Sequence, residues 1–92
     1  MSTSTLVSVI VAAHNEERYL GRCLRSLLAQ RFERNRYDVI VIDDASTDRT
    51  SAVLATFGDS ITVLRNETNL GLPASLNRAI TSTHSKFIVR VD

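Results

Sequence analysis

The sequence predicts an α/β fold: a three-layer, doubly wound, mostly parallel sheet with element order β-α-β-α-β-α-β. Three observations predict it. Short apolar runs rich in β-branched residues, at residues 6–12 (LVSVIVA) and 39–42 (VIVI), read as strands buried on both faces. Apolar residues between these runs recur at helical spacing. One strand stops on two adjacent acids, Asp43 and Asp44, followed by Ala45, Ser46, Thr47 and Asp48. Strand–helix alternation of this kind favours right-handed crossovers and a parallel sheet with helices on both faces.

The elements follow in order. The first strand is residues 6–12. Asn15 is a good helix N-cap, and Glu16 and Glu17 suit the positive end of a helix dipole. Leu20, Cys23, Leu24, Leu27 and Leu28 then mark a helix over 16–30, with Arg18, Arg22 and Arg25 on its solvated side. Residues 31–36 form a charged loop, and 37–42 the second strand. A second helix spans 48–57, with Val53, Leu54 and Phe57 on one side, and ends at Gly58-Asp59. Residues 61–64 make a third strand and 66–71 a polar loop. Pro73 fits the first turn of a third helix, whose inner face is Leu76, Ala79 and Ile80 and which fades over 81–85. Residues 87–91 are a fourth strand, and Asp92 follows.

Composition bounds the function. The chain has 92 residues, enough for one small domain, and 43% hydrophobic content, enough for a core. A net charge of +1 offers no basic stripe, so nucleic-acid binding has no support. No apolar run approaches the roughly 18 residues that span a bilayer, and the first five residues lack the charge and apolar stretch of a signal peptide. Cys23, the one cysteine, fits a reducing compartment and reads as a small apolar residue on a helix face. No zinc-type spacing or low-complexity segment is present.

The acid pair is the centre of the functional reading. With the first strand central, the ends of strands two, one and four are neighbours, and strands two and four lie roughly 10 Å apart across strand one. Ligands of open α/β sheets bind at such carboxyl ends. That span suits a nucleotide, base at one end and phosphates at the other. Asp44 or Ser46 could instead cap the next helix, but capping needs one residue, not two acids and two hydroxyls.

Four segments together resemble the N-terminal, nucleotide-binding half of GT-A glycosyltransferases of family 2. VSVIVAAHNEERYLGRCLRSLLAQ is similar to the family's first strand and helix, with Ala12 at its usual proline position and His14 at its tyrosine position. VIVIDDASTDRT is similar to Asp-Asp-x-Ser-x-Asp, NLGLPASLNRAI to the Asn-x-Gly loop and following helix, and FIVRVD to the strand ending on the first acid of the metal-binding Asp-x-Asp. The resemblance implies a truncated GT-A, Rossmann-like nucleotide-binding half. Residues 1–92 would be a single nucleotide-sugar-binding subdomain, disordered over about 1–5.

The resemblance also implies a function. The parent enzyme would transfer a sugar from a nucleoside diphosphate sugar, UDP-sugar favoured, to an acceptor with inversion. Asp92 would give the first carboxylate to a divalent cation, Mg²⁺ or Mn²⁺, which suits oxygen ligands and steadies leaving-group charge. Asp44 would accept a hydrogen bond from the base, close to Ala12 and Asn15. Asp43 would support the strand end or the ribose, and the main chain of Ala12 and Ala13 would line the base pocket. Asn69 and Asn77 are further candidates, Asn69 reading equally as a turn residue and Asn77 as a cap or backbone bridge. His84 reads as a solvated residue, and Arg90 as facing either the crevice or a bare edge.

The family pattern continues past Asp92 with a second metal acid, the acceptor site and a general base. The expectation is therefore a fragment inactive by itself, self-associating through the apolar edge of strand four. Its parent would be cytoplasmic, with the cytoplasmic membrane face open as a location. Two other classes compete. A receiver-type signalling module needs the acid pair on the first strand and a fifth strand with a lysine. A dinucleotide-binding domain needs a glycine-rich turn after strand one, where this chain has AAHNEE.

Overall fold

The computed structural model describes residues 6–30 and 36–91. Its elements are β1 (Val7–Ala13), α1 (Leu20–Leu28), β2 (Tyr37–Asp44), α2 (Thr50–Ala55), a 3-10 turn (Gly58–Ser60), β3 (Thr62–Asn66), α3 (Leu72–Thr81) and β4 (Phe87–Val91). The sheet order is β3-β2-β1-β4, and all three pairings are parallel. β1 is central among its neighbours, as its apolar sequence requires.

Alternation along the strands sorts the core into two layers. Val11, Ala13, Val39 and Val41 pack with Leu20 and Leu24 of α1 and Leu54 of α2. Ile10 and Ile40 point the other way, onto Ala79 of α3, with Leu64 and Leu76 alongside. The result is α1 and α2 on one face, the sheet, and α3 on the other. Each aliphatic side chain so enclosed contributes about 1.5–3 kcal/mol. Val41 and Ile42 are fully enclosed, so β2 is the best-anchored strand, and it carries the acid pair.

Register aligns the carboxyl ends. Ala13 pairs with Asp43, Asp44 with Asn66, and Val11 with Val91. The ends of β3, β2, β1 and β4 therefore form one rim.

Several boundaries differ from the sequence expectation, each for a local reason. β2 runs two residues further, to Asp44, and β3 runs on to Asn66, because these ends pair with each other. α1 begins at Leu20 rather than near residue 16. Asn15 is not its N-cap: its φ is 54°, and the N-cap position is Tyr19, with no side-chain cap bond. α2 starts at Thr50, whose amide bonds the Asp48 carboxylate at 2.8 Å. Ile80 is exposed, while Leu76 and Ala79 make the inner face. On β4, Phe87, Ile88 and Val89 are exposed. The expectations for residues 1–5, for most of the charged loop (31–35) and for Asp92 lie outside the described residues.

Candidate functional site

The turn after β1 and the turn after β2 are stitched together. The Asn15 amide donates to Ser46 Oγ at 3.0 Å, the Glu16 amide to Thr50 Oγ1 at 2.9 Å, and the Glu17 amide to Asp48 Oδ2 at 3.3 Å. In return, Asn15 Oδ1 accepts the Thr47 amide at 2.8 Å and the Asp48 amide at 3.3 Å. Ser46, Thr47, Asp48 and Thr50 thus hold the β1 turn as well as starting α2. Asn15 and Ala45, which follow the strand ends, both have φ of 54°. Asn tolerates this left-handed region through its short polar side chain, whereas Ala carries a strain of about 1–2 kcal/mol.

Asp44 is buried at the end of β2, and its carboxylate is a hub. Oδ1 accepts from Asn66 Nδ2 at 2.9 Å and from the Leu70 amide at 2.7 Å; Oδ2 accepts from the Gly71 amide at 2.9 Å. Burial works against the charge, but the donors from Leu70, Asn66 and Gly71, with His14 nearby, bring its pKa below the ordinary carboxylate value. Asp44 is thus an ionised, acceptor-only group. A carboxylate has about four acceptor positions. Three are filled, so one remains on Oδ2.

That acid lines a cleft of about 200 Å³ together with Ala12, Ala13, His14, Glu16, Leu72 and Ser75. The volume is below the ~300–1,000 Å³ of a complete small-molecule site, the size for one part of a ligand. A second cleft of about 300 Å³, lined by Val11, Tyr19, Leu20, Cys23 and Val91, shares Ala12 and Glu16 with it. His14 Nδ1 lies 2.6 Å from the Asp44 carbonyl oxygen. A carbonyl only accepts, so Nδ1 carries the hydrogen, and in the neutral ring Nε2 is an acceptor.

Asp43 points to the other face, where it is enclosed. Its Oδ2 accepts from Arg65 Nη1 at 2.7 Å and Ser51 Oγ at 2.8 Å, and its Oδ1 from the Ser46 amide at 3.1 Å. Burial again opposes the charge. Ser46, Ser51 and then Arg65 overcome it, leaving the pKa below the ordinary value. These contacts support the strand end.

The remaining sequence candidates divide. Ala12, Ala13 and Asp44 meet at the first cleft, with Asn15 bracing its turn. Exposed Asn69 accepts the Gly71 amide at 3.1 Å, the turn role of its two readings. Asn77 is exposed on α3 and contributes no hydrogen bond to the Asp44 hub. Among the described residues no three His, Cys, Asp or Glu side chains converge on a metal position, and Asp43 and Asp44, each accepting three bonds from protein donors, point to opposite faces and do not share an ion. Sequence reasoning missed Asn66, Ser75 and Arg78, which hold Asp44 from behind. The signal for Asn66 is its place just past the apolar run 61–64, where strand pairing sets it beside the acid pair.

Fold and cleft define the class: an open parallel α/β domain whose binding edge is the carboxyl end of its central strands. The family model for Glycosyl transferase family 2 matches residues 8–92, and the chain belongs to that family. It is 35% identical over 96 residues to EpsE of Bacillus subtilis (strain 168), covering 100% of this chain and 34% of EpsE. It is 35% identical over 88 residues to the poly(ribitol-phosphate) beta-N-acetylglucosaminyltransferase TarS of Staphylococcus aureus, covering 92% of this chain and 15% of TarS. The crystal structure of S. aureus TarS 1-349 in complex with UDP-GlcNAc matches with a TM-score of 0.88 and 34% identity, over 96% of this chain and 26% of that one. The mannosyltransferase PcManGT from Pyrobaculum calidifontis, in complex with GDP-Man and Mn²⁺, matches with a TM-score of 0.81 and 25% identity, over 90% of this chain and 26% of that one. The fold is that of the GT-A glycosyltransferases. The chain spans about a third or less of the length of these relatives.

Proposed function

We propose that this chain binds the nucleotide of a nucleoside diphosphate sugar, UDP-sugar favoured, and that the enzyme built on it transfers the sugar to an acceptor with inversion. The observation that carries the reading is the open acceptor position of Asp44 in the cleft beside Ala12 and Ala13. A buried acceptor-only group selects a base that presents an N–H. The imide of uracil does so; the ring nitrogen at the same edge of cytosine is itself an acceptor. The sugar nucleotides bound by TarS and PcManGT support the substrate class.

In this reading Asp44 accepts the imide hydrogen, the main chain of Ala12 and Ala13 lines the base, and Asn15 and Asn69 brace the flanking turns. Asp43 keeps the end of β2 in place, and Asn77 contacts ligand from α3. Asp92, the residue after Val91 in sequence, contributes one carboxylate to a divalent cation, Mg²⁺ or Mn²⁺; that cation would neutralise diphosphate charge. The Mn²⁺ in the PcManGT complex supports this part. The exposed apolar strand β4 supports self-association of separate chains at that edge, which light scattering over a concentration series tests. Among the described residues no helix is long and apolar enough to cross a membrane; the location in this reading is cytoplasmic, with the cytoplasmic membrane face open.

Calorimetric titration with UDP, GDP and CDP tests the base reading. UDP binds saturably, and CDP at least tenfold more weakly. Asp44→Ala weakens UDP binding by about 1–3 kcal/mol, roughly five- to 150-fold. Unchanged UDP affinity in that variant removes Asp44 from the site.

A further inference from the structure

The geometry points to Asn66 as the positioning residue of this site: it aims the Asp44 carboxylate so that three acceptor positions are held by protein and the fourth faces the cleft. The inference rests on the nucleotide reading of Asp44 and adds to it the side chain that sets the acid's orientation.

Asn66 is buried at the end of β3, in register with Asp44. Its Nδ2 donates to Asp44 Oδ1 and to Ser75 Oγ, both at 2.9 Å. Its Oδ1 accepts from Arg78 Nη1 at 2.8 Å. The amide cannot be reversed, because its oxygen would then face the carboxylate and its N–H groups the guanidinium. Ser75, fully buried on α3, donates its own amide to the Gly71 carbonyl at 3.1 Å, and the Gly71 amide returns to Asp44 Oδ2. Asp44, Asn66, Ser75 and Gly71 therefore close a ring that ties the end of β2, the end of β3 and the start of α3 into one unit. Asparagine suits this position because one nitrogen offers two donors while the neighbouring oxygen accepts. Aspartate offers no donor, and alanine offers nothing.

Charged groups around Asp44 are few. His14 meets it through the Asp44 carbonyl, and Glu16 lines the same cleft. Asp43 is turned away and paired with Arg65, while Arg78 acts through Asn66. Asn66→Asp places a second acid directly against Asp44, and two carboxylates sharing a site titrate together, one of them well above the ordinary range. While they share a proton, it replaces the lost N–H and the ring stays closed. Once both ionise, the ring opens and Asp44 loses its aim.

The test is UDP affinity against pH, with a ligand-free readout alongside. Wild-type affinity is flat from about pH 5.5 to 8. Asn66→Asp binds nearly as wild type at the acid end and about tenfold more weakly at the alkaline end; Asn66→Ala is about tenfold weaker throughout. Without ligand, the carboxyl ¹³C resonance of Asp44 titrates at higher pH in Asn66→Asp, and amide exchange at Leu70 and Gly71 speeds as pH rises. If Asn66→Asp does not fold at pH 8, Ser75→Ala takes its place, with affinity about threefold weaker and faster exchange at Gly71. A flat profile with unchanged affinity in Asn66→Asp, together with an unmoved Asp44 titration, overturns the positioning role. Absence of UDP binding by the wild-type chain overturns the nucleotide reading instead, and the ligand-free titration then decides the role of Asn66 alone.

Discussion

Removal of the Asp44 carboxylate has a cost that can be worked out bond by bond. Asp44→Ala takes the acceptor from Asn66 Nδ2, the Leu70 amide and the Gly71 amide. Hydrogen bonds to a charged group contribute about 1.5–3 kcal/mol each, so three would suggest at least about 4.5 kcal/mol. The structure lowers that figure. Asn66 Nδ2 keeps Ser75 Oγ, and the Gly71 amide keeps Asn69 Oδ1 at 3.1 Å. Only the Leu70 amide loses its acceptor outright, and Leu70 is 51% exposed, so water replaces part of the loss. The expected destabilisation is about 2–3 kcal/mol, measured by urea unfolding of wild type and variant. Added UDP should stabilise the wild type by about 2.7 kcal/mol at a hundred times its dissociation constant, and the variant far less at the same concentration. A change below about 0.5 kcal/mol without ligand would show that the Asp44 contacts do not hold the 70–71 loop, and the reasoning would fail.

Three further predictions follow from the same contacts. Ala45→Gly relieves a left-handed alanine and should stabilise the fold by about 1 kcal/mol in the same unfolding assay; a loss of stability would contradict the strain. Asp43 is 1% exposed and its partner Arg65 45% exposed. Asp43→Ala should therefore cost about 2–3 kcal/mol and Arg65→Ala under about 1, and equal costs would refute that asymmetry. Asp43, Asp44 and Asp48 all have pKa values lowered by folding, from an ordinary value of 3.8. Such groups stabilise the fold fully above the unfolded pKa, and that stability is lost as pH falls through the folded value. Unfolding free energy should thus be level from about pH 5 to 7 and fall below about pH 4, less steeply in Asp44→Asn.

The fold was legible because its signals are local and strong. The runs VSVIVA and VIVI cannot be solvated on either face, and the strand order follows once the first strand is central. Boundaries were less legible because long-range bonds set them. Asn15 looks like a helix cap in sequence; Thr47 and Asp48, more than thirty residues later, claim its side chain. Asn66 looked like the start of a polar loop, since no residue near it in sequence reveals a carboxylate across the sheet. Ile80 fits a helical apolar face by spacing, yet α3 lies where Ala79 meets Ile10 and Ile40 and leaves Ile80 outside. The acid pair and its two roles were visible through the family resemblance, but the partners were not: alternation along β2 sends Asp43 to Ser46, Ser51 and Arg65 and Asp44 to Asn66, Leu70 and Gly71 on the opposite face.

The stitched turns also bear on where a diphosphate can sit. In dinucleotide-binding domains, free amides at the turn after the first strand hold the phosphates. Here the amides of Asn15, Glu16 and Glu17 already donate to Ser46, Thr50 and Asp48, and two glutamates flank them. An anion at that turn would find those three amides already committed and two glutamates beside them. If the base sits at Asp44 as proposed, these three amides are not what holds the phosphates. The second cleft, with Val91 on its wall, shares Glu16 with the first, so it sets a carboxylate beside any phosphate placed there. A divalent cation, as proposed for the intact enzyme, would then answer a need that these residues leave unmet, and in a neighbour of this fold a nucleotide sugar is bound together with Mn²⁺.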